Sequence, residues 1–447
     1  MKKTISILLC AALAFTLCGC GLRNLKNVEL PPLPQITGEP PSTPVPTPTP
    51  APTPIPVETP APTPEPVPTP APTPEFSGLA DQIVVNVRRT MVEQKDPESG
   101  KETILSFSYD TPVVTIEGHD AAASAINGVL ATMDEFFYTG GEDYAGFNAM
   151  LELAEDTYTY VRQTGESDAF TSFAATRGVE VYRADSRMLS LVYDYREKDG
   201  SSTPNYAREG SVFDAETGAI LKLEDLSADY EAMKSSLVHI LVTLTETDPS
   251  MYDHLYVSYV PDQNFYNKLS DLLRPGAWYF DGEGLVFTSK LYELGPYIAG
   301  LCTFHIPYER LQGVIDDKWL PAGRAGSGEL TVTGLENVAI GSMPFVDRLE
   351  LSGQGREFCL VARGTVYDVS VSSVHYDNKF VEDGLLWYSD RLEDAALQVQ
   401  TALPEGLPEL MVRYTDAAGQ HYSKLLTQSG DGSSVLLADE AEVRPVG

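Results

Sequence analysis

The segment WYFDGEGLVFTSKLYELGPYIAGLCTFHIPYERL, residues 278–311, decides how this chain is read. Its two ends, WYFDGEGLVF and GLCTFHIPY, are aromatic and β-branched runs punctuated by Gly and Pro, the pattern of strands joined by turns. In the second run Cys302, Phe304 and Ile306 alternate, so one face of that strand is apolar and Cys302 reads as a small core hydrophobe. Upstream, Tyr230, Met233, Leu237, Leu241 and Leu244 recur at helical spacing in a helix capped by Ser227. Strands beside segregated helices predict an α+β architecture with antiparallel sheets and packed helices.

Working outward, Ile83–Val87, Ile104–Tyr109 and Val113–Ile116 read as strands. Asp120 caps a helix whose apolar positions are Ile126, Leu130, Met133 and Phe137, and a second helical pattern, Tyr144, Phe147, Leu151, Ala154 and Tyr158, follows Gly140-Gly141. Leu189, Leu191, Tyr193 and Tyr195 then alternate, Asp185-Ser186 supplies the turn from the 179–183 strand, and FDAETGAI (213–220) is a hairpin. PAGRAGSG (321–328) is a small-residue linker, beyond which helical periodicity stops. Tyr367, Val369 and Val371 alternate, as do Leu410, Val412 and Tyr414, the latter strand turning through Asp416–Gly419 into Gln420–Leu426. Short strands over this length predict an all-β, immunoglobulin-like sandwich. The expected division is an N-terminal α+β part at 79–165, a second α+β part at 166–320, the linker at 321–328 and a β-sandwich at 329–447.

Residues 278–311 resemble the extracellular domain of unknown function in lysozyme-responsive anti-sigma factors of the RsiV type. The part before it, with YDTPVV and AINGVL, looks like the companion domain that precedes it there and also occurs in some membrane-anchored polysaccharide deacetylases. The resemblance covers about residues 79–316 and implies a two-part ectodomain that binds lysozyme. Its motif is apolar and glycine-based, so it speaks for fold, and no lysozyme-contacting residue transfers to a position here. The chain departs from those anti-sigma factors: Met1-Lys2-Lys3 is the only expected cytosolic portion, so signalling through a cleaved membrane helix is not expected. A deacetylase catalytic domain is not expected either.

The front of the chain places the rest. After Lys2 and Lys3 an apolar run ends in TLCGCGLRN (16–24), the layout of a secretory signal. Leu17-Cys18-Gly19-Cys20 resembles a bacterial lipobox, with Leu17 and Gly19 recognised by the signal peptidase, residues 1–19 removed and Cys20 lipidated. An uncleaved membrane helix is the alternative. Residues 20–78 are then the anchor and a stalk, since Pro31 to Pro74 hold 20 of the 33 prolines. Alternating Thr-Pro and Ala-Pro favour an extended polyproline rod, and Pro40 to Pro74 would reach about 110 Å. The expected location is the outer face of the cytoplasmic membrane of a Gram-positive bacterium.

Charge narrows the partners. The net charge is −33, and residues 79–447 carry 59 acidic against 27 basic residues. That excludes nucleic acid, which needs basic stripes, and a flat seat on an anionic bilayer. A cationic partner would be steered towards such a surface, with solubility alone as the plainer reading.

Catalytic motifs are missing: there is no GxSxG, HExxH, GxxxxGK[ST] or CxxC, and the six histidines never stand at metal-ligand spacing. His119 beside Asp120 reads as a helix-cap turn. Asp214-x-Glu216-x-Gly218 lacks the further ligands of a calcium loop and reads as a hairpin. No catalytic residue, metal or cofactor is expected. Cys302 and Cys359 read as core hydrophobes, with a bridge between them the alternative. Aromatics are the residual signal: Tyr252, Tyr256 and Tyr259 at i, i+4, i+7, with Tyr266 and Trp278 beyond, form a contact surface or else a half-buried core stripe. Trp387-Tyr388 is a further exposed-contact candidate.

These readings converge on a non-catalytic lipoprotein displaying a binding module for lysozyme or another cationic wall-active protein. A structural protein binding cell-wall glycan is the alternative. An uncharacterised wall hydrolase is a third reading, which no nucleophile–base or metal constellation supports.

Overall fold

In the computed structural model, the described residues are 78–439, except 142–144, 166–169, 201–202, 249–252, 260–263, 339–342, 353–354, 403–407 and 430–433. Cys20, Leu17, Gly19, Tyr144, Tyr252 and the Thr-Pro tract lie outside them. The chain is mixed α/β, rich in strands and poor in helices, with open sheets.

Strands β1 (Ile83–Lys95) and β2 (Thr103–Ile116) form a long antiparallel hairpin, followed by helices α1 (Asp120–Thr139) and α2 (Gly146–Thr164). Three further strands, β3 (Phe173–Ala184), β4 (Met188–Lys198) and β5 (Asn205–Asp214), extend the sheet. Towards the first core β1 buries Ile83, Val85 and Val87 at one end, with Val84 facing the third core, and Val92 packs against the first core further along. That change of parity is the strong twist available to a two-stranded ribbon wrapping a helix. β3 joins β2 in parallel, over Leu105–Tyr109 only. Further along β2, the Asn127 amide of α1 donates to the Val114 carbonyl and accepts from the Val114 N–H, each at 2.8 Å, covering an edge that would otherwise be unpaired. The all-antiparallel expectation is therefore corrected here, and again where β10 (Phe345–Glu350) runs parallel to β13 (Ala396–Thr401).

β4 is buried on both faces. Leu189, Leu191, Tyr193 and Tyr195 pack against α1 and α2, whereas Met188 and Val192 face a second core. That second core joins helix α3 (Tyr230–Thr247) to a small antiparallel sheet of β6 (Trp278–Phe280), β7 (Gly284–Thr288) and β8 (Thr303–Pro307). The helices read from the sequence are present, with corrected caps: Asp229 rather than Ser227 caps α3 by accepting from Ala232 N–H at 3.1 Å. His119 holds the cap position of α1, with Asp120 as the first helical residue.

Beyond Gly328 the described elements are strands and one 3-10 turn. The 21-residue β11 (Arg356–Tyr376) serves two groups of strands. Its first part pairs with β9 (Gly328–Gly334) and β13, its second with β12 (Phe380–Glu393) and β14 (Leu410–Thr415). β15 (His421–Gln428) and β16 (Val435–Asp439) complete the edge. A third core, with Trp387, Val369 and Leu397, lies among these strands. The hydrogen-bonded sheet passes across the 321–328 segment, because β1 pairs with β12 through Val84↔Ser389, Val85↔Tyr388 and Asn86↔Trp387. The segment itself is pinned: Arg324 pairs with Asp368 at 2.6 Å, and Tyr367 donates its hydroxyl to the Ala325 carbonyl at 2.7 Å. Cys302 and Cys359 sit in separate core clusters.

Candidate functional site

The described members of the sequence-derived aromatic set, Tyr256, Tyr266 and Trp278, do not share one exposed surface. Trp278 is 3% exposed inside the second core, with its ring edge-on to Phe280, so the contact role expected for it is corrected to a packing role. Trp387 and Tyr388 are corrected likewise, since β12 is sandwiched there between core clusters. Tyr256 is half-exposed at the start of a one-turn helix, Tyr256–Tyr259. The Tyr259 side chain lies outside the described set. Tyr266 is half-exposed and donates to Glu246 at 3.0 Å.

A different aromatic surface stands beside Tyr256, in the loop between β7 and β8. Its base is closed by two bonds between Ser289 and Cys302: the Ser289 N–H donates to the Cys302 carbonyl and the Cys302 N–H to the Ser289 hydroxyl, both at 2.9 Å. Leu294 is buried in the second core and its carbonyl accepts from the Tyr256 N–H at 2.8 Å. Glu293 takes both arms of Arg274, at 2.8 and 3.0 Å, and also accepts from the Lys290 N–H at 2.7 Å. Bidentate geometry of this kind fixes orientation as well as charge. Pro296 then opens a 3-10 turn, Tyr297–Ala299, whose exit at Gly300 has φ +67°.

The frame presents apolar groups to solvent. Ile298 is 90% exposed and Tyr292 57% exposed. Tyr292 holds φ +63°, a conformation that L-residues other than Asn and Asp rarely adopt. Its ring lies 5.8 Å from that of Tyr297, which stands 5.9 Å from Tyr206 on β5 and donates its hydroxyl to the Pro204 carbonyl at 2.8 Å. Burial, with the two neighbouring tyrosines, pushes the Tyr297 phenol up. An anchored backbone, a tyrosine at positive φ and an outward isoleucine together make an exposed apolar tip on a fixed frame. Sequence reasoning passed over Ile298. The signal available was the bracket of Gly295-Pro296 and Gly300 around it, which marks a tight exposed turn.

Two of the groups singled out in the sequence are engaged locally. The Asp214 carboxylate accepts from the N–H groups of Glu216 at 3.0 Å and Thr217 at 2.8 Å, so it builds the hairpin rather than an ion site. His119 Nε2 lies 2.9 Å from Asp81, and the His119 carbonyl accepts the Ala123 N–H as α1 begins. Among the described residues no group of three or more His, Cys, Asp or Glu is placed to hold a metal, and no helix is long and apolar enough to cross a membrane.

The loop and the small sheet that carries it fall in one recognisable segment. Residues 244–309 are a DUF3298 domain, described as a protein of unknown function. Two similar solved structures are of proteins from the DUF3298 family. A DUF3298 member from Bacteroides fragilis shares 18% identity at a TM-score of 0.38, covering 52% of this chain and 94% of that one. A DUF3298 protein from Pseudomonas aeruginosa shares 15% at 0.34, covering 53% and 97%. No curated protein matches the chain. The DUF3298 segment thus runs from the end of α3 through β8 and includes Tyr256, Tyr292, Tyr297 and Ile298.

Proposed function

We propose that this chain is a non-catalytic cell-surface lipoprotein whose DUF3298 loop, residues 289–302, docks a cationic wall-active protein of the lysozyme type. The observation that carries the reading is Ile298, 90% exposed at the tip of a loop fixed by Leu294, Glu293 and Tyr297. A rigid apolar tip loses little conformational freedom on binding, so its burial goes largely into affinity. The net charge of −33 supports a positively charged partner, steered over distances set by the ionic strength. In this reading Cys20 carries the lipid, the Thr-Pro tract is the spacer, and the strands beyond residue 328 form an immunoglobulin-like sandwich behind the module. The resemblance to lysozyme-responsive ectodomains supports the same partner.

The test is calorimetric titration of the chain with lysozyme, alongside lysozyme activity on cell walls. Binding and inhibition are expected at low salt, weakening as salt rises, and Ile298→Asp should abolish both. No heat and no inhibition at low ionic strength would refute the reading.

A further inference from the structure

A groove of about 820 Å³ opens where β3 and β12 approach each other, although β1 and β2 lie between them in the sheet order. Arg89 and Asp110 bridge that approach. The Arg89 guanidinium donates to Asp110 at 2.7 and 3.0 Å and lies against Gly384 of β12, while Asp110 also accepts from the Val179 N–H of β3 at 3.2 Å. A groove of this size suits a small or extended ligand.

Its charge differs from that of the chain. The described lining includes four arginines and six carboxylates, against −33 overall. Most are matched to each other or to a neighbour: Arg89 to Asp110, Arg413 to Glu382 at 2.7 Å, Arg208 to Asp194 at 2.8 Å, Arg324 to Asp368 at 2.6 Å, and His375 to Asp383 at 2.7 Å. Paired in this way, the groups cancel one another's field but keep unused lone pairs and N–H donors.

Several polar side chains in the groove have no hydrogen-bond or ion-pair partner among the described residues, Ser372, Glu180 and Arg196 among them. Ser372 lines the groove with its hydroxyl bonded to no described residue, so a ligand hydroxyl can meet it as donor or acceptor. Glu180 and Arg196 stand exposed on β3 and β4. At the other end Tyr422 stacks on Tyr414, with ring centroids 4.7 Å apart, and is half-buried. Such rings offer an apolar edge to C–H groups.

We propose that this groove binds an uncharged oligosaccharide. A neutral polyhydroxyl ligand carries no charge to desolvate and needs no net field. Planar carboxylates and guanidiniums match adjacent hydroxyls with paired hydrogen bonds, and Ser372 gains the partner it lacks. A charged ligand would add its own desolvation cost in a groove whose arginines and carboxylates mostly pair with one another or with neighbours. The proposal is independent of the loop and of its lysozyme-type partner.

Calorimetry on the full chain tests it, with hexamers of N-acetylglucosamine and of glucose as neutral probes and the deacetylated glucosamine hexamer as the charged control. At least one neutral hexamer should bind, with Kd moving less than about twofold between roughly 50 and 500 mM salt. Ser372→Val and Arg196→Ala should each weaken it about tenfold or more while leaving the unfolding transition in place. Should Ser372→Val fail to fold, Arg196→Ala at its exposed position carries the test. The proposal is overturned if neither neutral hexamer binds, if both folded variants bind as the parent does, or if only the glucosamine hexamer binds and high salt releases it.

Discussion

The Ile83 N–H donates to the Asp390 carboxylate at 2.9 Å, joining the first strand to one 307 positions later. Around this bond the Gln82 amide donates to the Ser389 hydroxyl at 3.0 Å and to the Arg391 carbonyl at 2.6 Å, and Arg391 pairs with Asp390 at 2.6 Å. The seam between β1 and β12 is therefore a polar clamp around one buried acid.

That acid should make stability depend on pH. Burial raises the Asp390 carboxyl from 3.8 to about 6, outweighing Arg391 and the Ile83 N–H. The folded chain thus holds a proton that the unfolded chain has released between those values. Its contribution is fully present below about pH 4 and is lost as pH rises through 6, on the order of 2–3 kcal/mol at most. In urea unfolding, Asp390→Asn should shrink the stability difference between about pH 5 and pH 7.5 by roughly 1–2 kcal/mol. An unchanged difference would mean that Asp390 titrates normally.

Two glycines separate hard from soft close approaches. A Cβ on Gly210 would stand 2.1 Å from the Trp278 carbonyl oxygen, fixed backbone of β6, whereas one on Gly384 would stand 2.0 Å from the Arg89 guanidinium, the end of a flexible side chain. Gly210→Ala should cost about 4 kcal/mol or more by prising β5 from β6. Gly384→Ala should cost about 1–3 kcal/mol, because Arg89 can swing away and leave Asp110 with one remaining donor. Thermal unfolding of the two variants checks the order, and equal losses would argue against a backbone contact at Gly210.

Trp278 and Ile298 should behave as opposites. Trp278→Ala empties part of the second core and should cost about 3–5 kcal/mol. Ile298→Ala removes a side chain that touches little of the fold, so stability should stay within about 0.5 kcal/mol while lysozyme binding weakens at least tenfold. Denaturant midpoints and titrations on both variants separate the roles. A large stability loss in Ile298→Ala would place it in the packing instead.

Much of this was legible where one period dominates. The helical spacing of Ile126, Leu130 and Phe137, and of Met233, Leu237 and Leu241, places the buried faces of α1 and α3 correctly. The alternation of Leu189, Leu191, Tyr193 and Tyr195 gives one face of β4 but hides the other, because a strand covered on both sides carries a second apolar set, Met188 and Val192, out of phase. Trp387 reads as exposed for the same reason: what buries it is β1 and neighbouring strands far away in the chain. The exposed loop is not legible locally because the exposure of Ile298 depends on three-dimensional anchors, Leu294, the Arg274–Glu293 pair and Pro204, that no local spacing announces.

Docking at residues 289–302 should be visible residue by residue in hydrogen–deuterium exchange with and without lysozyme. The account predicts slower exchange at Lys290–Gly300 and at the adjoining Tyr256 turn, absent in Ile298→Asp. Protection confined to other strands, or no protection under saturating lysozyme, would contradict it.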